Sequence, residues 1–209
     1  YVGQKKTFTA GEANKTVQIK LEKAPDSTLK DIELPTDWPL FRKNAENNGV
    51  VDVRTPITAE DTVLVWANKL GEGYSGNAMG CPIIVGGYLY TYSGTTIMKV
   101  DKETGLVLKT GTMAGFSSFS INSATYAEGM IFIGLSNGRV QAFNAETLES
   151  LWVYQDALGG QPNCPIAYAD GYIYTGFWNS ETKQANFACL SVTDEDATKT
   201  NEAKLPTWT

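Results

Sequence analysis

Histidine is absent from all 209 residues. That absence excludes a histidine-assisted nucleophile, a histidine general base and any zinc site of mixed Cys and His ligands. Cysteine is scarce: Cys81, Cys164 and Cys189 are too few and too dispersed for a structural metal cluster. Cys81 and Cys164 each precede a proline at the start of a predicted strand. They read as small buried residues, with a bridge between them as the alternative. Basic charge is also short, 17 Lys and Arg against 23 Asp and Glu, for a net charge of −6. A phosphate-binding surface needs clustered cations, so nucleic acid is not an expected partner. No apolar run is long enough to span a bilayer, and no window carries a long helical period. The chain neither begins at Met nor carries a signal peptide, and it is expected to be a mature or excised piece of a longer protein.

What remains is rich in turn and strand formers: 20 Gly, 10 Tyr and 5 Trp in a chain that is 42% hydrophobic. These residues recur. Gly87 opens "GYLYTYS", Gly129 opens "GMIFIGL" and Gly171 opens "GYIYTGF", each 42 residues after the last. A fixed period in the low forties marks an array built from one supersecondary unit. Each unit reads as four strands. An inner strand ("CPIIV", "SATYA", "PIAYA") leads through a tight turn at Gly86-Gly87, Glu128-Gly129 or Asp170-Gly171 into the second strand. A short polar turn such as "SNG" precedes the third, "TIMKVD" or "VQAFN", and an outer strand such as "SLWVY" closes the unit. Four short antiparallel strands in about 42 residues make one blade of a β-propeller.

One stretch imitates a nucleotide site. "GEGYSG", Gly71 to Gly76, has the G-x-G-x-x-G spacing, but the fingerprint must open a helix, and here "NAMGCPIIV" follows with Pro82 and enters a strand. It reads as an inter-blade loop.

The turn between third and fourth strands carries a family signature. Lys99, Asp101, Thr104, Gly105 and Lys109 in one unit, and Ala142, Asn144, Thr147, Leu148 and Trp152 in the next, are partial copies of A-x-D-x-x-T-G-x-x-x-W. An Asp or Asn three residues before Thr holds the turn by its own amides, and the indole serves as a wedge between blades. "DWPLFRKNAENNG", Asp37 to Gly49, adds a Trp-Pro-x-Phe-Arg lead-in to a first outer strand ending at Trp66. On these motifs the chain resembles the PQQ-like, or quinoprotein dehydrogenase-like, β-propeller repeat family of the bacterial surface-protein type. The resemblance implies an all-β propeller of four-stranded blades. In the dehydrogenases of that family it implies a quinone held by a vicinal Cys-Cys disulfide, a Ca²⁺ on Glu and Asn ligands, and a catalytic Asp. This chain has no adjacent cysteines and no acidic residues that map to those ligands. Other members bind no quinone and act as scaffolds, so no cofactor, metal or catalytic residue is expected.

Three domains of organisation follow. Residues 1–24 alternate polar and apolar through Phe8, Val17, Ile19 and Leu21, like the last strands of a preceding β-sandwich. Residues 25–36 read as a linker of Pro, Ser and charge, and residues 37–209 hold about three blades. Closed propellers have four to eight blades. The rest is expected from the remainder of the parent chain or from another copy.

Any ligand should meet the face that carries the inter-blade loops and the second-to-third turns. The candidates there are Tyr74 and Asn77, Phe119 and Asn122, Gln161 and Asn163, and Trp178 with Asn179 at the longest such turn. Converging amides and aromatics suit a sugar, a peptide or a small molecule. The bland alternative is that the Asn residues cap turns and the aromatics pack blade on blade. The favoured function is a non-catalytic module of a bacterial cell-surface or secreted protein that binds a protein, glycan or small ligand. A fragment of a PQQ-dependent oxidoreductase and a structural or assembly scaffold are the alternatives.

Overall fold

The computed structural model describes residues 37–51, 55–71, 79–117, 122–181 and 183–209. The segments read as a sandwich remnant and linker, 1–24 and 25–36, lie outside the described residues. The described ones belong to one unit, Thr36–Thr209.

Among the described residues all regular structure is β. The first blade is β1 (Ile83–Val85), β2 (Tyr88–Ser93), β3 (Thr96–Asp101) and β4 (Val107–Thr112), hydrogen-bonded antiparallel in that order. The second is β5 (Thr125–Ala127), β6 (Met130–Leu135), β7 (Arg139–Asn144) and β8 (Ser150–Gln155) in the same order. The third is β9 (Ala167–Ala169), β10 (Tyr172–Gly176) and β11 (Phe187–Ser191), with Trp208 bridged antiparallel to Cys189 where an outer strand would run.

The three units share one local design. Lys102, Ala145 and Val192 each donate a backbone N–H to the carbonyl of the turn glycine, Gly87, Gly129 and Gly171, at 3.0, 2.9 and 3.0 Å. Glu128 and Gly129 (φ 51° and 76°), like Asp170 and Gly171 (φ 49° and 80°), are left-handed pairs, as two-residue hairpins with the sheet's twist demand. The next turn is held from inside. Asp101 Oδ1 accepts from the Glu103 and Thr104 amides, Asn144 Oδ1 from Glu146 and Thr147, and Ser191 Oγ from Thr193.

Packing explains the apolar runs of the middle blade. Ile131, Ile133 and Leu135 of β6 join Ile83, Tyr90, Tyr92 and Ile97 of the first blade in one buried cluster. Phe132 points the other way, to Trp152, Ile173, Ala188 and Leu190 in a second cluster against the third blade. Alternate residues of one strand thus bury on opposite faces, so "MIFIGL" has no polar side.

Four expectations need correction or addition. Cys81 and Cys164 are exposed and unbridged, while Cys189 is buried. Each exposed cysteine lies in the segment before its inner strand begins, and the Cys81 backbone is bridged there in parallel to Ser123 of the next unit. "TVLVW" forms no paired strand: Val63, Leu64 and Val65 are exposed, because no described strand lies beside them. The lead-in crosses the inner strands instead, with Trp38 paired to Ile84 and the Pro39 carbonyl accepting from Tyr126. The acidic stretch after Thr193 returns as β12 (Glu202–Lys204), which pairs parallel to β8 and covers the middle blade's outer edge.

Candidate ligand-binding site

The β6–β7 turn, the loop from β8 to β9 and the β10–β11 connection meet at one end of the second and third blades. They are pinned by backbone. Gly138 donates to the Gly160 carbonyl at 2.6 Å, and Gln161 and Trp178 exchange both main-chain bonds at 2.7 and 2.9 Å. Gly160 sits at φ 111° with no room for a side chain, since a Cβ would stand 3.0 Å from the Trp178 carbonyl.

A buried carboxylate fixes the loop beneath. Asp156 accepts from the Tyr154 hydroxyl at 2.8 Å, the Leu158 amide at 2.9 Å and Asn186 Nδ2 at 3.0 Å. Burial, then donation to that carboxylate and its charge, push the Tyr154 phenol well above the usual tyrosine range, so the hydroxyl keeps its proton. Asn179 braces the other wall through Nδ2, which donates to the Leu158 carbonyl at 2.8 Å and the Gln184 carbonyl at 3.3 Å.

The result is a cavity of about 330 Å³. Its lining is Ser136 and Asn137 from the β6–β7 turn, Gly160 and Gln161 from the loop, and Trp178, Asn179, Ser180 and Lys183 from the long connection. The Trp178 side chain is held at its backbone yet the residue is 46% exposed. Among the described residues, no hydrogen bond or ion pair engages the side chains of Asn137, Gln161, Ser180 or Lys183. Asp, Glu and Cys are missing from the described lining residues. The cavity can donate and accept hydrogen bonds, present a flat indole and offer one ammonium, but it holds no carboxylate or thiol for acid–base or nucleophilic chemistry.

Of the eight candidates, the structure brings Gln161, Trp178 and Asn179 together here. Asn163 is exposed nearby but is not part of the lining. Asn122 is a spacer between blades: its amide donates to the Pro162 carbonyl, and its own carbonyl accepts from the Tyr92 hydroxyl at 2.5 Å. Tyr74, Asn77 and Phe119 lie outside the described residues. Sequence reasoning missed Asp156 and Asn186, because a charged residue in a glycine-rich loop reads as solvated. It also missed Ser180 and Lys183, although both follow in the long turn that Trp178 opens.

The structural repeat residues lie apart from this cavity. Trp152 is fully buried between the second and third blades, 5.7 Å from the Phe132 ring, and Ala142 is buried beside it. Asp101, Thr104 and Gly105 form the turn that Trp66 covers, and Asn144 and Thr147 form its counterpart.

Two other cavities are less suited to a polar ligand. One, of about 390 Å³ beside Met113 and Val153, holds Arg139, which is already bonded to Gln155 and the Ala114 carbonyl. The other, of about 300 Å³, lies between Phe41 and β9 and is largely apolar.

This architecture, successive antiparallel blades of up to four strands with a self-capped turn between the third and fourth, is that of a PQQ-type propeller. The family model described as outer membrane protein assembly factor BamB matches residues 49–181, well over half the sequence, and the chain belongs to this PQQ-like β-propeller family. Among solved structures it is similar to the quinohemoprotein alcohol dehydrogenase of Comamonas testosteroni, at 16% identity and TM-score 0.65, over 89% of this chain and 29% of that one. It is also similar to a europium-containing methanol dehydrogenase, at 17% identity and TM-score 0.59, over 77% of this chain and 31% of that one. BamB from Moraxella catarrhalis matches at 14% identity and TM-score 0.42, over 59% of this chain and 34% of that one. The chain therefore spans about a third or less of these proteins' lengths, and the likeness to the two dehydrogenases shows the fold. No curated protein sequence matches it.

The quinone that the fold brings to mind does not fit the residues described. No two cysteines are adjacent, and no group of three or more His, Cys, Asp or Glu among the described residues could hold a metal ion.

Proposed function

We propose that this chain is a non-catalytic propeller module of a bacterial cell-surface or secreted protein, binding its ligand through the channel face. The observation that carries the reading is the cavity at Gln161, Trp178 and Asn179. It is braced by buried Asp156, lined in part by polar side chains without partners among the described residues, and free of carboxylate and thiol among its described lining residues. The family model's description as an outer membrane assembly factor supports a location at the bacterial envelope and a binding role.

A panel of peptides, glycans and metabolites screened by ligand-detected NMR tests it. Support is a ligand whose signal is lost in Trp178→Ala and Gln161→Ala while the variants melt like the native chain. The reading fails if every bound ligand is insensitive to both substitutions, or if the protein reduces a redox dye with added PQQ and Ca²⁺.

An assembly role is a second reading, favoured by the third blade's uncovered end. Trp208 is 48% exposed although it stacks on Phe187 and Tyr174 at 6.1 and 6.3 Å. A further blade, from the parent chain or another copy, would cover it. Light scattering after gel filtration tests the second source, and a Trp208-dependent dimer supports it.

A further inference from the structure

We infer that the channel-face cavity is a saccharide site, and that it selects a sugar ring bearing a carboxylate, such as a uronic acid. The inference rests on the binding role proposed above and names its ligand class.

A pyranose presents two chemistries at once, an apolar C–H face and a rim of hydroxyls that donate and accept. The cavity presents their complements. Trp178 offers a half-exposed indole whose main chain is locked on both sides by Gln161. Asn137 and Gln161 each supply an acceptor and a donor from one amide, which is what a vicinal diol needs, and Ser180 adds a hydroxyl. At about 330 Å³ the space lies at the small end of ligand sites, roughly 300–1,000 Å³, which suits one or two rings.

The charge selects further. Lys183 is the one ionic side chain among the described lining residues, on a chain whose net charge is −6. Three other lysines are paired with acids: Lys99 with Glu146, Lys199 with Asp196, and Lys204 with Glu195. Lys183 has no such partner among the described residues. An ammonium without an acid beside a neutral polar cavity favours a ligand that brings its own carboxylate. A peptide added as a strand is the poorer fit, because the backbones of Gln161 and Trp178 are paired with each other and Gly138 with Gly160.

Isothermal titration of the full chain with methyl glucuronide and methyl glucoside, which differ only in carboxylate against hydroxymethyl, tests this. The glucuronide should bind about three- to fivefold more tightly, the size of a solvent-exposed charge pair. Lys183→Gln should remove that preference, bringing the glucuronide's affinity to that of the glucoside in the same variant. Trp178→Ala should weaken both by about tenfold or more, and Trp178→Phe, which keeps a ring in place, should retain part of the binding. Equal affinity of the native chain for the two sugars overturns the carboxylate selectivity. Silence of both sugars, while another ligand binds and is lost in Trp178→Ala, overturns the saccharide assignment and leaves the binding role standing. Silence of every ligand overturns both.

Discussion

The Trp66 indole N–H donates to the Lys102 carbonyl at 2.9 Å, thirty-six residues downstream. The ring lies so close over the turn that a Cβ on Gly105 would meet it at 2.6 Å. The same relationship recurs along the chain with changed chemistry. Lys109, at the matching place in the first described blade, acts on Glu146 in the second blade's turn. Trp152, one repeat later, lies 5.3 Å beneath the Lys204 ammonium of the third blade's excursion. Trp66 and Trp152 thus each reach onto the following unit, by hydrogen bond and by cation–π contact, while Lys109 supplies only the least of the influences that lower the Glu146 carboxyl.

Gly105→Ala should therefore cost about 2–3 kcal/mol. The left-handed φ of 72° contributes about 1–2 kcal/mol for any residue with a Cβ, and the clash with Trp66 adds the rest. Trp66→Phe, which removes the hydrogen bond but keeps a ring, should cost about 1 kcal/mol. Urea unfolding measures both, and a glycine substitution without effect would mean that the docking is not formed in solution.

Trp152 differs from Trp66 because its Nε1 is buried without a partner. Trp152→Phe removes that orphaned donor with part of the ring and should cost about 1–2 kcal/mol, against about 3–5 kcal/mol for Trp152→Ala. Equal losses in thermal melts would show that the indole N–H has a partner after all.

Acid should weaken the joint between the first two blades. Hydrogen bonding from Lys99, then its charge, holds the Glu146 carboxyl below the usual range. Burial pulls the Lys99 ammonium down, but bonding to Glu146, the Tyr90 phenolate that forms at high pH and the Glu146 charge outweigh it, and its pKa is raised. The carboxylate's contribution is present above pH 4.5 and lost as pH falls through its lowered folded value; the ammonium's is present below pH 10.5 and lost as pH rises through its raised one. Glu146→Gln should be less stable than the native chain at neutral pH and converge with it below pH 4.5. Parallel curves of stability against pH would contradict the pairing.

Base should act through Tyr92, whose phenol is pushed up to about 12 by burial, moderated by a hydrogen bond from Ser117 and raised further by Cys81. A raised tyrosine pKa stabilises the fold below pH 10, and the contribution, on the order of 2 kcal/mol, is lost between pH 10 and 12. Tyr92→Phe should flatten part of the alkaline fall, with Tyr154 accounting for more of it. Ultraviolet titration should show a tyrosine class ionising near pH 12, and its absence would contradict the buried contact with Asn122.

Much of the fold was legible because local chemistry and the repeat agree. Gly129 and Gly171 mark hairpins, Asp101 and Asn144 cap turns, and the 42-residue spacing aligns them. Gln161, Trp178 and Asn179 were legible as a group because the same alignment places their loops on one face. What stayed hidden depends on contacts between segments. "EAK" of β12 has no apolar alternation, and only the longer third-to-fourth connection allows it to reach β8. Lys99 stands where the motif has Ala, and it is buried because Glu146 and the Tyr88 ring, 4.2 Å away, receive it. Cys81 and Cys164 read as core residues, yet they lie just outside it.

Amide chemical-shift mapping of the chain with methyl glucuronide tests the central claim most directly. Perturbations should gather at residues 136–137, 160–161 and 178–183 and disappear in Trp178→Ala. Shifts gathered instead along β4 or around Trp208, unaffected by that substitution, would contradict a ligand site on the channel face.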